Sequence, residues 1–310
     1  MIPGLLGRIM DLIVHGGAGS EPDDPAACEQ GLSRAVDAAV AGATPIDAVE
    51  AAVRELEADP AFNAGLGGAI QADAAVRTDA GVMVDSGTIG APESESSALR
   101  SGATCSMPGV QHAVSVARAV AAETPHVLLS GEGAVDLAAR VGVETGLDLT
   151  TERTRSRWDD AAPPADNDRD RLEWARERFG AEADDRRDHD TVGAVAHDGD
   201  RIAAATSSGG RWFALPGRVG DVPQVGGGFY AAAAGAASAT GHGEEIAEDG
   251  LARRVVGLIE DGRAAPAATA TAIERFAAET GATAGVIAID GAGRVGHAHN
   301  AAVMAVATDG

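Results

Sequence analysis

The chain of 310 residues contains no lysine; its 24 basic residues are all arginine, set against 47 acidic ones, for a formal net charge of −23. So negative a surface disfavours nucleic acid, whose phosphates need basic contacts, and disfavours anionic membranes for the same reason. It also predicts strong self-repulsion that salt would screen, as in a salt-adapted cytoplasm. Cysteine is nearly absent: Cys28 and Cys105 are too few for a disulfide framework. Aromatics make up only 3%, so the 45% hydrophobic fraction rests largely on small side chains. A core of this kind must consist of thin, closely packed layers. No apolar run reaches the roughly 18 residues that mark a spanning helix. The start MIPGLLGRIMDLIVHGG lacks the basic region and cleavage site of a secretory signal, so a cytoplasmic location is expected.

What is present alternates between strand and helix patterns. Met10–His15 reads as a first buried strand, closed by Gly16 and Gly17. Leu32, Ala35, Val36, Ala39 and Val40 recur at helical spacing. Thr44 caps a second helix, with Pro45 in its first turn and Asp59-Pro60 ending it. Strands are expected around Ala75–Arg77 and Gly81–Val84, and helices over Val110–Ala122 and Gly133–Val141. Residues 149–190 are crowded with Asp, Glu and Arg and read as a solvated connector, with at most one charged helix near Arg169–Phe179. At Thr191 the composition flips to a strand, a turn at His197–Asp200 and a returning strand. Helices follow over Gly243–Glu260 and Ala265–Glu279, then a hairpin from Gly285 to Asn300. This order suggests helices packed outside stacked antiparallel sheets.

Three features could carry chemistry. His15-Gly16-Gly17-Ala18-Gly19 follows a strand but lacks the full dinucleotide-loop spacing, so a tight turn is the better reading. His297 and His299 share a strand face, and His189 lies between two aspartates, but no zinc-type spacing completes either set. Asp190-Thr191-Val192-Gly193 begins an apolar strand abruptly after the charged connector. The plain reading is a threonine that starts a strand. The chemical reading is a scissile bond: a freed threonine would carry its hydroxyl and an α-amine of pKa about 7.7–8.0, nucleophile and base on one residue.

Seven short segments then decide between these readings: IVHGGAG at 13–19, FNAGLG at 62–67, HDTVGAVA at 189–196, ATSSGG at 205–210, LPGRVGD at 215–221, VGGGFYA at 225–231 and ATGHGE at 239–244. Together, and in this order, they resemble the plant-type asparaginase and isoaspartyl peptidase family of N-terminal-nucleophile hydrolases. The resemblance spans nearly the whole chain except the connector. It implies an α+β fold, a four-layer αββα sandwich of two stacked antiparallel sheets covered by helices. It further implies a single domain over 1–310 that self-cleavage divides into a large subunit, 1–190, and a small one, 191–310.

The resemblance also assigns residues. Cleavage would fall between Asp190 and Thr191, with Thr191 the nucleophile. Arg218 and Asp221 would grip the substrate's α-carboxylate and α-ammonium, a task suited to a forked arginine and a carboxylate. Thr240 and Gly241 would form the oxyanion hole, and Gly243 would let backbone approach the substrate. Asn63 would hold the nucleophile region. Ser208 stands where the family usually has threonine; the hydroxyl is kept and the methyl lost. Main-chain oxygens of Leu56, Glu57, Asp59, Phe62, Ala64 and Leu66 would hold a structural sodium ion, with no other cofactor required. Expected substrates are asparagine and β-aspartyl peptides, and the expected assembly is a homodimer of cleaved protomers. Two alternatives stay open: hydrolysis of glycosylated asparagine, because His189-Asp190 also resembles the glycosylasparaginase branch, and an uncleaved small-molecule-binding homologue.

Overall fold

The computed structural model describes residues 10–85, 101–162, 164, 168–179 and 191–309. Strand β1 (Asp11–Gly19) leads into helices α1 (Pro25–Val40) and α2 (Pro45–Ala58), then strands β2 (Arg77–Asp85) and β3 (Ser101–Pro108). Helix α3 (Ala113–Glu123), strand β4 (Leu128–Ser130) and helices α4 (Gly131–Arg140), α5 (Glu152–Asp160) and α6 (Asp168–Phe179) follow. After Thr191 come β5 (Val192–His197), β6 (Ile202–Ser208), β7 (Phe229–Ala232) and β8 (Gly235–Gly241). Helices α7 (Gly243–Asp249), α8 (Leu251–Glu260) and α9 (Ala265–Thr280) precede β9 (Ala284–Asp290), β10 (Val295–His299) and β11 (Val303–Thr308).

Two sheets form, one ordered β11-β1-β5-β6-β2-β3-β4 and the other β10-β9-β8-β7. Three hydrophobic layers hold the sandwich together. Leu12, Val14, Val192 and Ala205 face α1–α4, where Leu32, Val49, Val53 and Val114 meet them. Between the sheets lie Ile13, Val195, Ala204, Phe229, Ile287 and Ile289. Val286 and Ala288 then pack outward on Val255, Val256, Ile273 and Phe276 of α8 and α9. The α+β four-layer arrangement is therefore as expected, with one correction: β4 pairs with β3 in parallel, so the larger sheet is mixed. Among the described residues, no helix is long and apolar enough to cross a membrane.

The β5–β6 hairpin sits mid-sheet: β5 pairs with β1, and β6 with β2. The segments before and after Thr191 are thus interleaved strand by strand.

Local signals set most helix ends. Thr44 accepts from the Asp47 N–H and Pro45 opens α2, as read from the sequence. Other boundaries needed tertiary contacts. The first strand runs on through Gly19 instead of turning at Gly16, because β11 pairs along it. The two short strands at 75–84 are one, held on both sides by β3 and β6. The helix expected over 243–260 breaks at Gly250, whose φ is +68°. In the described part of the connector, the charged helix near Arg169–Phe179 is found as α6, while α5 was not expected and packs more than its charges suggest. Thr151 and Thr154 form a reciprocal cap on α5, and Trp158, Trp174 and Phe213 stack as neighbours. His189 and Asp190 lie outside the described residues.

Candidate active site

Thr191 immediately precedes β5 and is 7% exposed. Val192 pairs with Ser207, and Ser208 pairs with Asp79. Continuing that register by one residue sets Thr191, Ser208 and Asp79 in a row across β5, β6 and β2, on one face. Beside them, Asn63 braces the turn that follows β6. Its amide donates to the Gly210 carbonyl at 2.8 Å, its Oδ1 accepts from the Ala69 N–H at 2.7 Å, and its own carbonyl accepts from the Gly209 N–H at 2.9 Å. Ser208 Oγ accepts from the Gly210 N–H at 3.0 Å, which leaves its hydroxyl proton free to donate.

Two residues past Thr191, Gly193 lies against a hydrogen bond that crosses between the sheets. His15 Nε2 and Ser238 Oγ are 2.9 Å apart, both buried. A Cβ on Gly193 would come within 2.4 Å of the first and 2.1 Å of the second. Burial pushes the His15 pKa down to about 3, so this imidazole is neutral and acts as a fixed strut. The HGGAG segment is thus a buried strand whose histidine ties the two layers together.

The charged part of the site comes from loops. Arg218 Nε and Nη2 donate to Glu244 Oε1 and Oε2 at 2.8 and 2.7 Å, a forked pair. Burial opposes ionisation of Glu244, but the Arg218 hydrogen bonds and charge prevail and hold its pKa at about 2. Asp221 is different. Burial raises its pKa to about 7 against the pull of Arg218, and its Oδ2 has no hydrogen-bond partner among the described residues. The backbone of Gly243 passes between them: a Cβ there would lie 2.7 Å from Arg218 Nη2 and 2.8 Å from Asp221 Oδ1. Gly241 ends β8 with φ +134°, and a side chain would collide with the Thr283 carbonyl at 2.4 Å.

Asn63, Thr191, Ser208, Arg218, Asp221, Gly241 and Gly243 all line one cavity with about 350 Å³ of open space. Residues tens of positions apart, singled out from sequence, are therefore brought together. Thr240 is fully buried on β8, next to the cavity-lining Gly241. Asp79 and Arg211 also line the cavity and were not anticipated. The available signal for Asp79 was a charge inside RTDAGVMVD, otherwise a strand of small and apolar residues; Arg211 carried none. Glu244 was part of a quoted motif but had no role until its fork with Arg218 was seen.

The Leu56–Leu66 loop begins in the last turn of α2. Leu66 N–H donates to the Glu57 carbonyl, Asp59 N–H to Leu56 and Phe62 N–H to Asp59. The Glu57 side chain turns inward, accepting from Ser207 Oγ at 2.6 Å and the Val114 N–H at 3.0 Å. His297 and His299 are exposed, and no cluster of three metal-binding side chains occurs among the described residues.

A family profile described as asparaginase matches residues 8–310. The plant-type L-asparaginase of Thermococcus kodakarensis is 36% identical over 303 residues, covering 96% of this chain and 95% of that protein. That of Pyrobaculum calidifontis is 39% identical over 304 residues, covering 95% of each. The isoaspartyl peptidase/L-asparaginase of Bos taurus is 34% identical over 292 residues, covering 91% of this chain and 87% of that protein. With the profile spanning nearly its full length and relatives this similar end to end, the chain belongs to the asparaginase family.

Proposed function

We propose that the chain cuts its own backbone between Asp190 and Thr191, then hydrolyses the side-chain amide of asparagine and the β-linkage of isoaspartyl peptides. One observation carries this reading: Thr191 lines the same small cavity as Arg218 and Asp221. That cavity offers a hydroxyl next to a guanidinium and a carboxylate, the complement of an amide joined to a free amino-acid end.

In the proposed cycle the freed Thr191 amine accepts the hydroxyl proton, directly or through water, and Oγ attacks the side-chain carbonyl. The oxyanion rests on Thr240 and the Gly241 N–H. The C–N bond breaks, ammonia or the amine of a peptide leaves with the proton, and a β-aspartyl ester remains on Thr191. Water adds to that ester and aspartate departs, restoring the hydroxyl. Arg218, fixed by Glu244, holds the α-carboxylate, and Asp221 holds the α-ammonium. Interleaving of β5 and β6 with β1 and β2 gives a reason why the two fragments would stay together after the cut.

Denaturing electrophoresis with N-terminal sequencing tests the cut, the expected result being a fragment that begins at Thr191. Parallel assays on asparagine, a β-aspartyl dipeptide and a glycosylated asparagine test the substrate. Intact chain with full activity, or turnover of glycosylated asparagine alone, would sink the proposal.

The sodium reading extends to the loop that carries Asn63. The carbonyls of Phe62, Ala64 and Leu66 accept no hydrogen bond from the described residues, and those of Leu56, Glu57 and Asp59 keep a second lone pair. Such an all-oxygen set suits a hard cation. The ion would fix the loop; every chemical step belongs to the side chains above. Exchange into a sodium-free, tetramethylammonium buffer should lower the melting temperature and restore it on sodium addition. A cytoplasmic homodimer stabilised by salt completes the proposal. Sedimentation of the cleaved protein, and melting curves in dilute buffer and molar salt, check both parts.

A further inference from the structure

Strand β2 is buried along most of its length, yet it carries Asp79 at 4% exposure. A carboxylate in such a place is costly unless something compensates it. The chain goes out of its way to keep it there. Pairing between β2 and β3 shifts register between Thr78 and Ala80, at Asp79 itself. Opposite, Ser106 adopts φ +56°, a conformation unfavourable for a residue with a side chain, and gives its N–H to Asp79 Oδ1 at 2.7 Å. Irregularities of this type re-aim a side chain beside a site, and here the result is that Asp79 lines the cavity.

One oxygen is satisfied in this way. The other, Oδ2, accepts no hydrogen bond from the described residues. Arg218 contributes a favourable charge to Asp79, but its fork is already taken by Glu244. In and beside the cavity, Arg211 and Arg218 face three carboxylates, those of Asp79, Asp221 and Glu244. Glu244 is held ionised by Arg218, whereas burial raises Asp79 to about 6 and Asp221 to about 7. Among the described residues, two carboxylates in one cavity therefore lack a cation of their own, and an ammonium group, with three N–H donors, can serve both.

We propose that Asp79 is a second anionic contact for the substrate's α-ammonium, shared with Asp221, and so a residue that selects substrates with a free α-amine. This deepens the hydrolase reading above and rests on it. Asn at position 79 would still accept from the Ser106 N–H but would carry no charge.

The test compares kcat/KM for asparagine and for succinamate, the same amide without the α-amine, in wild type, Asp79→Asn and Asp79→Glu. In Asp79→Asn the asparagine value should fall about 30-fold while the succinamate value moves no more than about threefold, as expected for losing one hydrogen bond to a charged group. Asp79→Glu, which keeps the charge, should recover part of the preference for the amine. An unchanged asparagine-to-succinamate ratio, or an equal loss on both substrates, overturns the proposal and makes Asp79 a tether for Ser106. Failure of both variants to fold overturns it in the same sense. Wild-type protein that hydrolyses neither amide and no β-aspartyl dipeptide removes the hydrolase reading itself, a result obtained before any variant is made.

Discussion

The sheet and the loops build different halves of the same cavity. Thr191 and Ser208, at the ends of β5 and β6, and Asn63, on the loop after α2, are neutral and small; Asn63 and Ser208 are braced by hydrogen bonds to main chain. Arg218, Asp221 and Glu244 are charged and stand on the loop before β7 and at the start of α7. In the first half the bonds of Asn63 and the Gly210 N–H to Ser208 bond are in place without a ligand. The second is left electrostatically incomplete, with Asp221 buried and one of its oxygens without a hydrogen-bond partner among the described residues. The contrast teaches that, on the proposed reading, position is fixed where bonds would be made and broken, and affinity would be stored where charge is left unmatched.

Breaking the neutral half should have the largest effect. Thr191→Ala should leave a single uncut chain and lower turnover by about 10⁴-fold or more, since nucleophile and base are lost together. Gel electrophoresis and an ammonia-release assay check it.

On the charged half, Asp221→Asn should raise KM for asparagine on the order of 300-fold by removing a buried partner of the ammonium, while the cut at Thr191 still occurs. The same variant sharpens the idea of stored affinity. Burial raises Asp221 in the folded protein from its ordinary 3.8 to about 7. Between those values the folded chain keeps a proton that the unfolded chain has lost. The stability of the empty wild type therefore falls as pH rises across that window. Asp221→Asn removes the penalty, so relative to wild type it should gain stability from pH 4 to pH 8, on the order of 2–4 kcal/mol. Urea unfolding at several pH values measures this.

Gly243→Ala places a methyl group within 2.8 Å of both Arg218 and Asp221 and should cost about 100-fold in kcat/KM through misplacement, with self-cleavage retained. The smallest effect should come from Ser208→Ala. Loss of the acceptor for the Gly210 N–H should slow turnover by about tenfold, comparable to one hydrogen bond. An equal slowing in Ser208→Thr would show that the hydroxyl is not what matters.

Much of this site was legible before the fold was known, but through the resemblance: Gly241, Gly243, Arg218 and Asp221 sit in short motifs whose family roles it carried over, whereas alone Arg218 and Asp221 read as a surface ion pair. The Thr44-Pro45 helix start, by contrast, is a short-range pattern read from the residues themselves. Asp79 was not legible, because nothing in RTDAGVMVD says which face of β2 meets Ser208 or that β3 supplies a strained Ser106. In the described part of the connector the charged helix was legible, but its packing was not, for a related reason. Its charges suggested solvent, but Trp158 and Trp174 find Phe213, a residue far along the chain.

Composition and periodicity by themselves determined a thinly layered α+β chain of small side chains, most of its helices, and the abrupt change at Thr191. Only the tertiary structure decided which strands lie side by side, how far β1 extends, where a helix breaks, and which buried carboxylates share a cavity. Helical spacing and caps act over one or two turns, whereas strand pairing and desolvation depend on partners separated by a hundred residues or more.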